Sequence, residues 1–439
     1  MSVPYPPRSL APRGGLPSAA APSGGLIVGR PERRFSEHGT EIWAWIHADG
    51  RDFHVGFRVP GLPVSQRVEP FLALALFPAM KLGLTLSTEA ECSPLLLRNL
   101  ESIQKKLIAW DRSLSAIAVV APAAPPPEPP AARRGGAFFS GGVDSFHTLF
   151  RHFDRISDLI FVHGFDIPAN REDFYPRTAA RYEEAAQQLG KRLVRVWTNL
   201  RDFTGCYVDW GVFAHGPALA AVALLLDAQL ERVLIPGEYF PADLAVLPRG
   251  SHPDTDPLWS TERMTLVHDG FDRTRPQKLG DIHRHPVVRR LLRVCWEGDG
   301  RIDNCCLCSK CLRNMAILRA YGVLDQFASF PLPLDLRKLA RLPLRRGEWR
   351  GMLEETLAIV GTPRRDPALH KAIRDCLAER YYRGPAALAR SVVQSALYRA
   401  RLARAVLTAG AARYLKEHFP RLAVKARRLY TGWRESCSP

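Results

Sequence analysis

No stretch of this chain is apolar for long enough to cross a bilayer. The longest such run, Pro217 to Leu226, is well short of the roughly 20 residues that a membrane helix needs. The opening segment "MSVPYPPRSLAPRGGLPSAAAPSGG" has no continuous apolar core of the kind a secretory signal carries. The expectation is a chain without a transmembrane segment, located in the cytoplasm. A secreted disulfide framework is missing too. Of nine cysteines, four crowd into Cys305–Cys311 and five are dispersed, a clustering that points to metal or redox chemistry in a reducing compartment. There is no G-x-x-x-x-G-K-[ST] and no G-x-G-x-x-G, which excludes a Walker loop and a dinucleotide fingerprint. Acidic residues are scarce at one end. Residues 331–439 hold about 23 Lys/Arg against 9 Asp/Glu and so carry most of the net charge of +17, while residues 131–330 are almost balanced. At 46% hydrophobic and 24% charged residues, the composition is that of a globular protein.

The chain divides by composition into five stretches. Residues 1–35 are rich in Pro, Gly, Ala and Arg and are expected to be disordered. In 36–120, "EIWAWIHA" and "DFHVGFRVP" alternate as strands do, and "HADGRD" reads as the turn of a hairpin. "EPFLALALFPAMKLG" and "SPLLLRNLESIQKKLIAW" read as helices, the second with Ser93 as cap and Pro94 at its first position. "SAIAVVAP" reads as a further strand, completing a small α/β accessory module. Residues 121–134 form a proline-rich linker. From 135 to 328 continuous apolar strands alternate with helical patterns, the mark of a parallel sheet covered on both faces. Residues 329–439 read as a basic helical tail.

In "AFFSGGVDSFHTLF", Ser140–Ser145 stand between a strand and a helix. In an open parallel sheet, ligands bind at the carboxyl ends of strands, and the free N–H groups of a helix N-terminus favour an anion. Gly141 and Gly142 allow a tight turn and close approach of the backbone to phosphate oxygens, and Ser140 and Ser145 supply hydroxyls. Asp144, acidic where phosphate would sit, is expected to help hold Mg²⁺. Phe146, Leu149 and Phe150 fall at i, i+3 and i+4 and would lock this helix to the sheet.

"SGGVDS" resembles the signature of the PP-loop (N-type) ATP pyrophosphatases. The resemblance implies an adenine nucleotide alpha hydrolase-like core over 135–328 and ATP as cofactor, cleaved between its α and β phosphates. It implies transfer of AMP to a carbonyl or carboxyl oxygen, loss of pyrophosphate, and displacement of AMP by a nitrogen or sulfur nucleophile. It also implies that Ser140, Gly141, Gly142, Val143, Asp144 and Ser145 hold pyrophosphate, and that the edge of the next strand, around His163 and Gly164, lines the adenine pocket.

Cys305-x-x-Cys308-x-x-Cys311 puts three thiolates within reach of one metal, and Cys295, nine intervening residues earlier, can complete a tetrahedron. A closed site of four cysteines is structural, with zinc expected; iron–sulfur stays open, because the same ligands suit iron. Cys306 is left out of the set. A cysteine, a short spacer and C-x-x-C-x-x-C near the end of such a domain are similar to the zinc site of 7-cyano-7-deazaguanine synthase and of related bacterial PP-loop proteins.

The stretch from Ile235 to Lys278 is long and polar and reads as a functional loop. It offers Ser251, His252, Asp254, Asp256 and Arg273, together with Arg275 and Lys278, either of which supplies the cation that departing pyrophosphate needs. With Asp144, these two are the candidate catalytic residues. The expected activity is adenylation of a small-molecule carbonyl or carboxyl group followed by C–N bond formation. Two other readings stay open: a tRNA or nucleobase sulfurtransferase with RNA held by the basic tail, and a non-catalytic nucleotide-binding module.

Overall fold

The structure, a computed structural model, describes residues 25–37, 39–125, 134–167, 169, 173–238, 250–295, 303–344 and 347–378. The expected disorder of residues 1–24, most of the proline-rich linker and the tail beyond 378 lie outside these. Two compact units are distinguished, one of residues 1–339 and 345–373, the other of 340–344 and 374–439. In the second, Cys376 Sγ lies 3.5 Å from the Leu342 carbonyl oxygen. All elements named below belong to the first.

The chain is α/β with one large, mostly parallel sheet. Its first part contributes β1 (Gly25–Val28), β2 (Glu32–Ser36), β3 (Gly39–Ala48), β4 (Arg51–Val59), α1 (Glu69–Leu82), β5 (Thr85–Ser87), α2 (Pro94–Trp110) and β6 (Val119–Val120). The β3–β4 hairpin forms where its pattern predicts. Asp49 and Gly50 both take positive φ, 51° and 67°, as a two-residue turn matched to strand twist requires. Along β3, buried and half-buried residues alternate, so one face packs on the core. Ser93 Oγ accepts from Leu96 N at 3.0 Å and caps α2 as expected. Two expectations are corrected here. Residues 25–28 and 32–36 form strands rather than part of a disordered arm, and Leu26 and Val28 are buried in the core. Of "SAIAVVAP", only Val119–Val120 pairs as a strand, on β5.

The second part runs β7 (Gly135–Phe138), α3 (Val143–Arg151), β8 (Asp158–His163), α4 (Tyr175–Gln188), β9 (Arg192–Thr198), α5 (Arg201–Thr204), α6 (His215–Leu225), β10 (Arg232–Pro236), β11 (Thr265–Asp269), α7 (Arg275–Ile282), α8 (Pro286–Leu291), α9 (Ser309–Ala320) and α10 (Gly347–Val360). Every residue of β8 is buried, as befits a central parallel strand covered on both faces. The parallel strands lie in the order β9-β8-β7-β10-β11. The order reverses between β7 and β10, the switch point at which open parallel sheets hold ligands. The segment read as one long loop contains β11 and a buried turn holding Asp256 and Trp259. Its strand is short and ends in His-Asp, so its polarity hid it.

The proline-rich stretch marks a boundary in composition. In space, β4 pairs antiparallel with β9 through Phe57 and Thr198, so strands from both sides of that stretch share one sheet. Helix α6 is apolar all round and buried, the mark of a core helix; Leu225 O accepts from Ser65 N at 2.9 Å just before α1. One core cluster joins α1 and α6 with β3, β8 and β10. Glu262 ties the same parts together at the start of α2, accepting from Ser93 Oγ at 2.6 Å and Leu95 N at 2.8 Å, where a negative charge is also attracted to the positive end of the helix dipole.

Candidate functional site

Ser140–Ser145 lie at the carboxyl end of β7, on the switch point. Gly142 is the N-cap of α3, and the first N–H groups of a helix have no acceptor within it. Ser145 Oγ donates to Gly142 O at 3.0 Å and accepts from Ser140 N at 3.3 Å, which closes the loop into a compact turn. Phe146 and Leu149 are fully buried and seat α3 on the sheet. Gly141 has φ 70°, and a β-carbon there would lie 2.2 Å from Tyr182 Oη. That hydroxyl donates to Ser140 O at 2.7 Å. Gly141→Ala therefore strains the backbone and collides with a buried ring, and is expected to cost about 2 kcal/mol. A urea titration reads this as a lower midpoint at unchanged slope. An unshifted midpoint would mean that the loop does not hold this backbone.

The three candidate catalytic residues meet. Asp144 is in the first turn of α3; Arg275 and Lys278 are in the first turn of α7, whose start is fixed by a capping box between Thr274 and Gln277. Arg275 Nη2 donates to Asp144 Oδ2 at 2.9 Å and Lys278 Nζ to Asp144 Oδ1 at 2.9 Å. Lys278 also donates to the carbonyl of Gly237, just past β10, so it spans the two strands that flank the switch point. Its side chain is 1% exposed, against 18% for Asp144. Burial works against ionisation of Asp144. The charges of Arg275 and Lys278, and then Lys310, outweigh it and hold the carboxyl below the ordinary carboxylate range. One carboxylate thus pairs with two cations at once. Arg275 Nε is buried and has no partner among the described residues.

His163 is fully buried at the end of β8, its ring stacked on Tyr175 at 4.2 Å. Gly164 follows in a tight turn closed by its N–H to Ile167 O at 2.8 Å. Both stand at the carboxyl edge of the sheet. Of the other residues singled out, Asp254 pairs with Lys106 at 3.4 Å, Arg273 lies 3.8 Å from Asp281, and His252 packs its ring on Trp110. Asp256 accepts from Ser251 Oγ at 2.7 Å and lies 2.7 Å from His268 Nδ1. This buried pair joins the turn at Asp256 to β11, and His268 Nε2 has no partner among the described residues. Sequence reasoning missed His268, Tyr182 and Gly237; the signal for His268 is its place at the end of a parallel strand.

The four predicted ligands converge as well. The Sγ atoms of Cys295, Cys305, Cys308 and Cys311 all lie within 4.8 Å of one another. Cys295 and Cys308 are 4.0 Å apart and Cys305 and Cys311 are 3.8 Å apart. Four sulfurs each about 2.3 Å from one tetrahedral ion stand about 3.8 Å apart, so the set fits a single ion such as zinc. Backbone N–H groups point at the sulfurs, Cys308 N to Cys305 Sγ at 3.3 Å and Cys311 N to Cys308 Sγ at 3.4 Å, the support that thiolate ligands need. Four thiolates cannot crowd together unaided. Cys295 is drawn down by hydrogen bonds from Cys308 and Cys311, and Cys308 in its role toward Cys295 is pushed up to about 12. A divalent cation lets all four ionise. Cys306 takes φ 61° and turns its Sγ to Asn304 O at 3.5 Å, outside the set.

A separate cavity of about 650 Å³ lies beyond the other end of α9, lined by Arg319, Phe327, Phe330, Leu334 and Asp366; it shares no residue with the switch point or the cysteine set. Among the described residues, no helix is long and apolar enough to cross a membrane. Of the two basic stretches of the tail expected to contact RNA, "RKLARLPLRRGEWR" lies among the described residues except for Arg345 and Arg346, and "RYLKEHFPRLAVKARRLYTGWR" lies outside them. Comparison of the chain with protein-family models, with curated proteins and with solved structures finds no match.

Proposed function

We propose that the chain is an ATP-dependent enzyme of the PP-loop type that adenylates a carbonyl or carboxyl oxygen of a small molecule and releases pyrophosphate. The oxygen attacks the α-phosphorus of ATP, and the bond to the bridging oxygen breaks, so pyrophosphate leaves with those electrons. An amine nitrogen then attacks the activated carbon, the C–O bond to AMP breaks, and the nitrogen gives up a proton. The observation that carries this reading is the charge at the switch point. At the start of a helix, one carboxylate, that of Asp144, pairs with both Arg275 and Lys278. Two cations on one carboxylate, and an Arg275 Nε that has no partner among the described residues, suit an anion with several negative oxygens, and charge that develops on pyrophosphate as it leaves. Zinc in the cysteine set is the structural ion of this reading. The sulfurs are too close together to leave room for bridging sulfides and several irons.

The test is the fate of ATP. With Mg²⁺ and a panel of carboxylates and nucleobases, the expected products are AMP and pyrophosphate, and labelled pyrophosphate exchanges into ATP when the right acceptor is present. Release of ADP and orthophosphate, or failure of the chain to bind MgATP in a calorimeter, would overturn the proposal.

A further inference from the structure

The glycine loop and the cysteine set are joined by short, specific contacts. Arg293 N donates to Gly141 O at 2.8 Å. Two residues on is Cys295, a member of the set. Between them, Val294 N and Cys295 N both donate to Asn304 Oδ1, at 2.8 and 3.0 Å, and Asn304 Nδ2 donates to Leu292 O and Ser329 O. Asn304 itself adjoins Cys305. The backbone that touches the loop is therefore held on both sides by the cysteine-bearing segment. A second link runs through α9. Cys308 is its N-cap and Cys311 is in its first turn, so Lys310 is flanked by two of the four sulfurs. Asn314 Nδ2 binds the Lys310 carbonyl at 2.7 Å. Helix α9 leads into Tyr321, whose hydroxyl donates to Pro276 O at 3.1 Å on α7, between Arg275 and Lys278.

We propose that the metal centre and the anion loop are one coupled device: an ion bound by Cys295, Cys305, Cys308 and Cys311 holds Asn304 and, through it, the Arg293–Gly141 bond, and so sets the affinity of Ser140–Ser145 for the phosphates of a nucleotide. The coupling rests on the nucleotide reading given above and extends it from a structural ion to a regulatory one. Coupling between sites commonly spans about 5- to 150-fold in affinity.

Calorimetric titration of the full chain with MgATP tests it. The zinc-loaded chain is expected to bind MgATP about tenfold or more tightly than the same chain stripped by a chelator. Asn304→Ala, loaded with the same amount of zinc by elemental analysis, loses the bonds to Leu292, Val294 and Cys295 and is expected to bind MgATP about tenfold more weakly than the unaltered chain. Equal affinities for loaded and stripped chains, or for Asn304→Ala and the unaltered chain, overturn the coupling. If the stripped chain loses its fold by circular dichroism, the Asn304→Ala comparison in the loaded chain decides. No MgATP binding by the loaded chain is a different result and removes the nucleotide reading itself.

Discussion

Lys278→Met is expected to weaken MgATP binding about 10- to 100-fold, the worth of a hydrogen bond to a charged group, and to lower the free energy of unfolding by about 3 kcal/mol. The two effects have one cause. The ammonium is buried between Asp144 Oδ1 and the Gly237 carbonyl, so methionine fills the stem and leaves both acceptors without their donor. Taking one partner from a buried ion pair costs more than the pair is worth, because a charge is left behind. Asp144 keeps Arg275 at 2.9 Å, which places the cost near the lower end of that range. Adding Asp144→Asn to Lys278→Met removes the stranded charge. The double variant is therefore expected to be more stable than the sum of the two single losses, by about 1 to 3 kcal/mol. Urea titration gives the stabilities and calorimetry the affinities. Strictly additive losses would mean that the two side chains do not act as a pair. Normal MgATP binding by Lys278→Met would take Lys278 out of the site.

Cys311→Ser is expected to have a larger effect still. Cys311 is fully buried in the first turn of α9, and its sulfur is 3.8 Å from that of Cys305. A serine hydroxyl is a poor ligand for a soft site, so the variant is expected to lose its ion, and with it part of the roughly 10 to 16 kcal/mol that structural zinc supplies in small domains. Nearly every residue from Cys311 to Leu318 is buried, so loosening this turn exposes core. An unfolding midpoint lower by about 10 °C or more is expected, since 1 kcal/mol shifts a domain of this size by a few degrees. Scanning calorimetry and elemental analysis read the two quantities together. Cys306→Ser is the control: its sulfur turns away to Asn304 O, and zinc content is expected to stay unchanged. One zinc per chain and an unmoved midpoint in Cys311→Ser would sink the assignment.

Much of the local structure was legible. The β3–β4 hairpin, the Ser93 cap and the strand–loop–helix around Ser140–Ser145 are written in contiguous residues, because a period of two, a turn that needs Asp-Gly and a helix that needs a cap each act over a few positions. The cysteine set was legible for the same reason: three of its members lie within seven residues of one helix start. Other elements were hidden by weak local patterns. Thr265–Asp269 pairs with β10 although His268 and Asp269 make it look like loop, and Gly25–Val28 is a strand because β3 and β5 lie on either side of it.

The sequence alone determined where a glycine turn at a helix start and a four-cysteine cluster would form, since both depend on residue type and short spacing. Which side chains surround them was decided only in three dimensions. Lys278 and Arg275 meet Asp144 across more than 130 residues, Tyr182 meets Ser140 across 42, and Arg293 meets Gly141 because α8 brings the chain back over the loop. The strand order, with β7 beside β10, sets these meetings. That order follows from how the apolar faces of α1, α3 and α6 can all be buried at once, a condition on the whole chain that no short stretch of it carries.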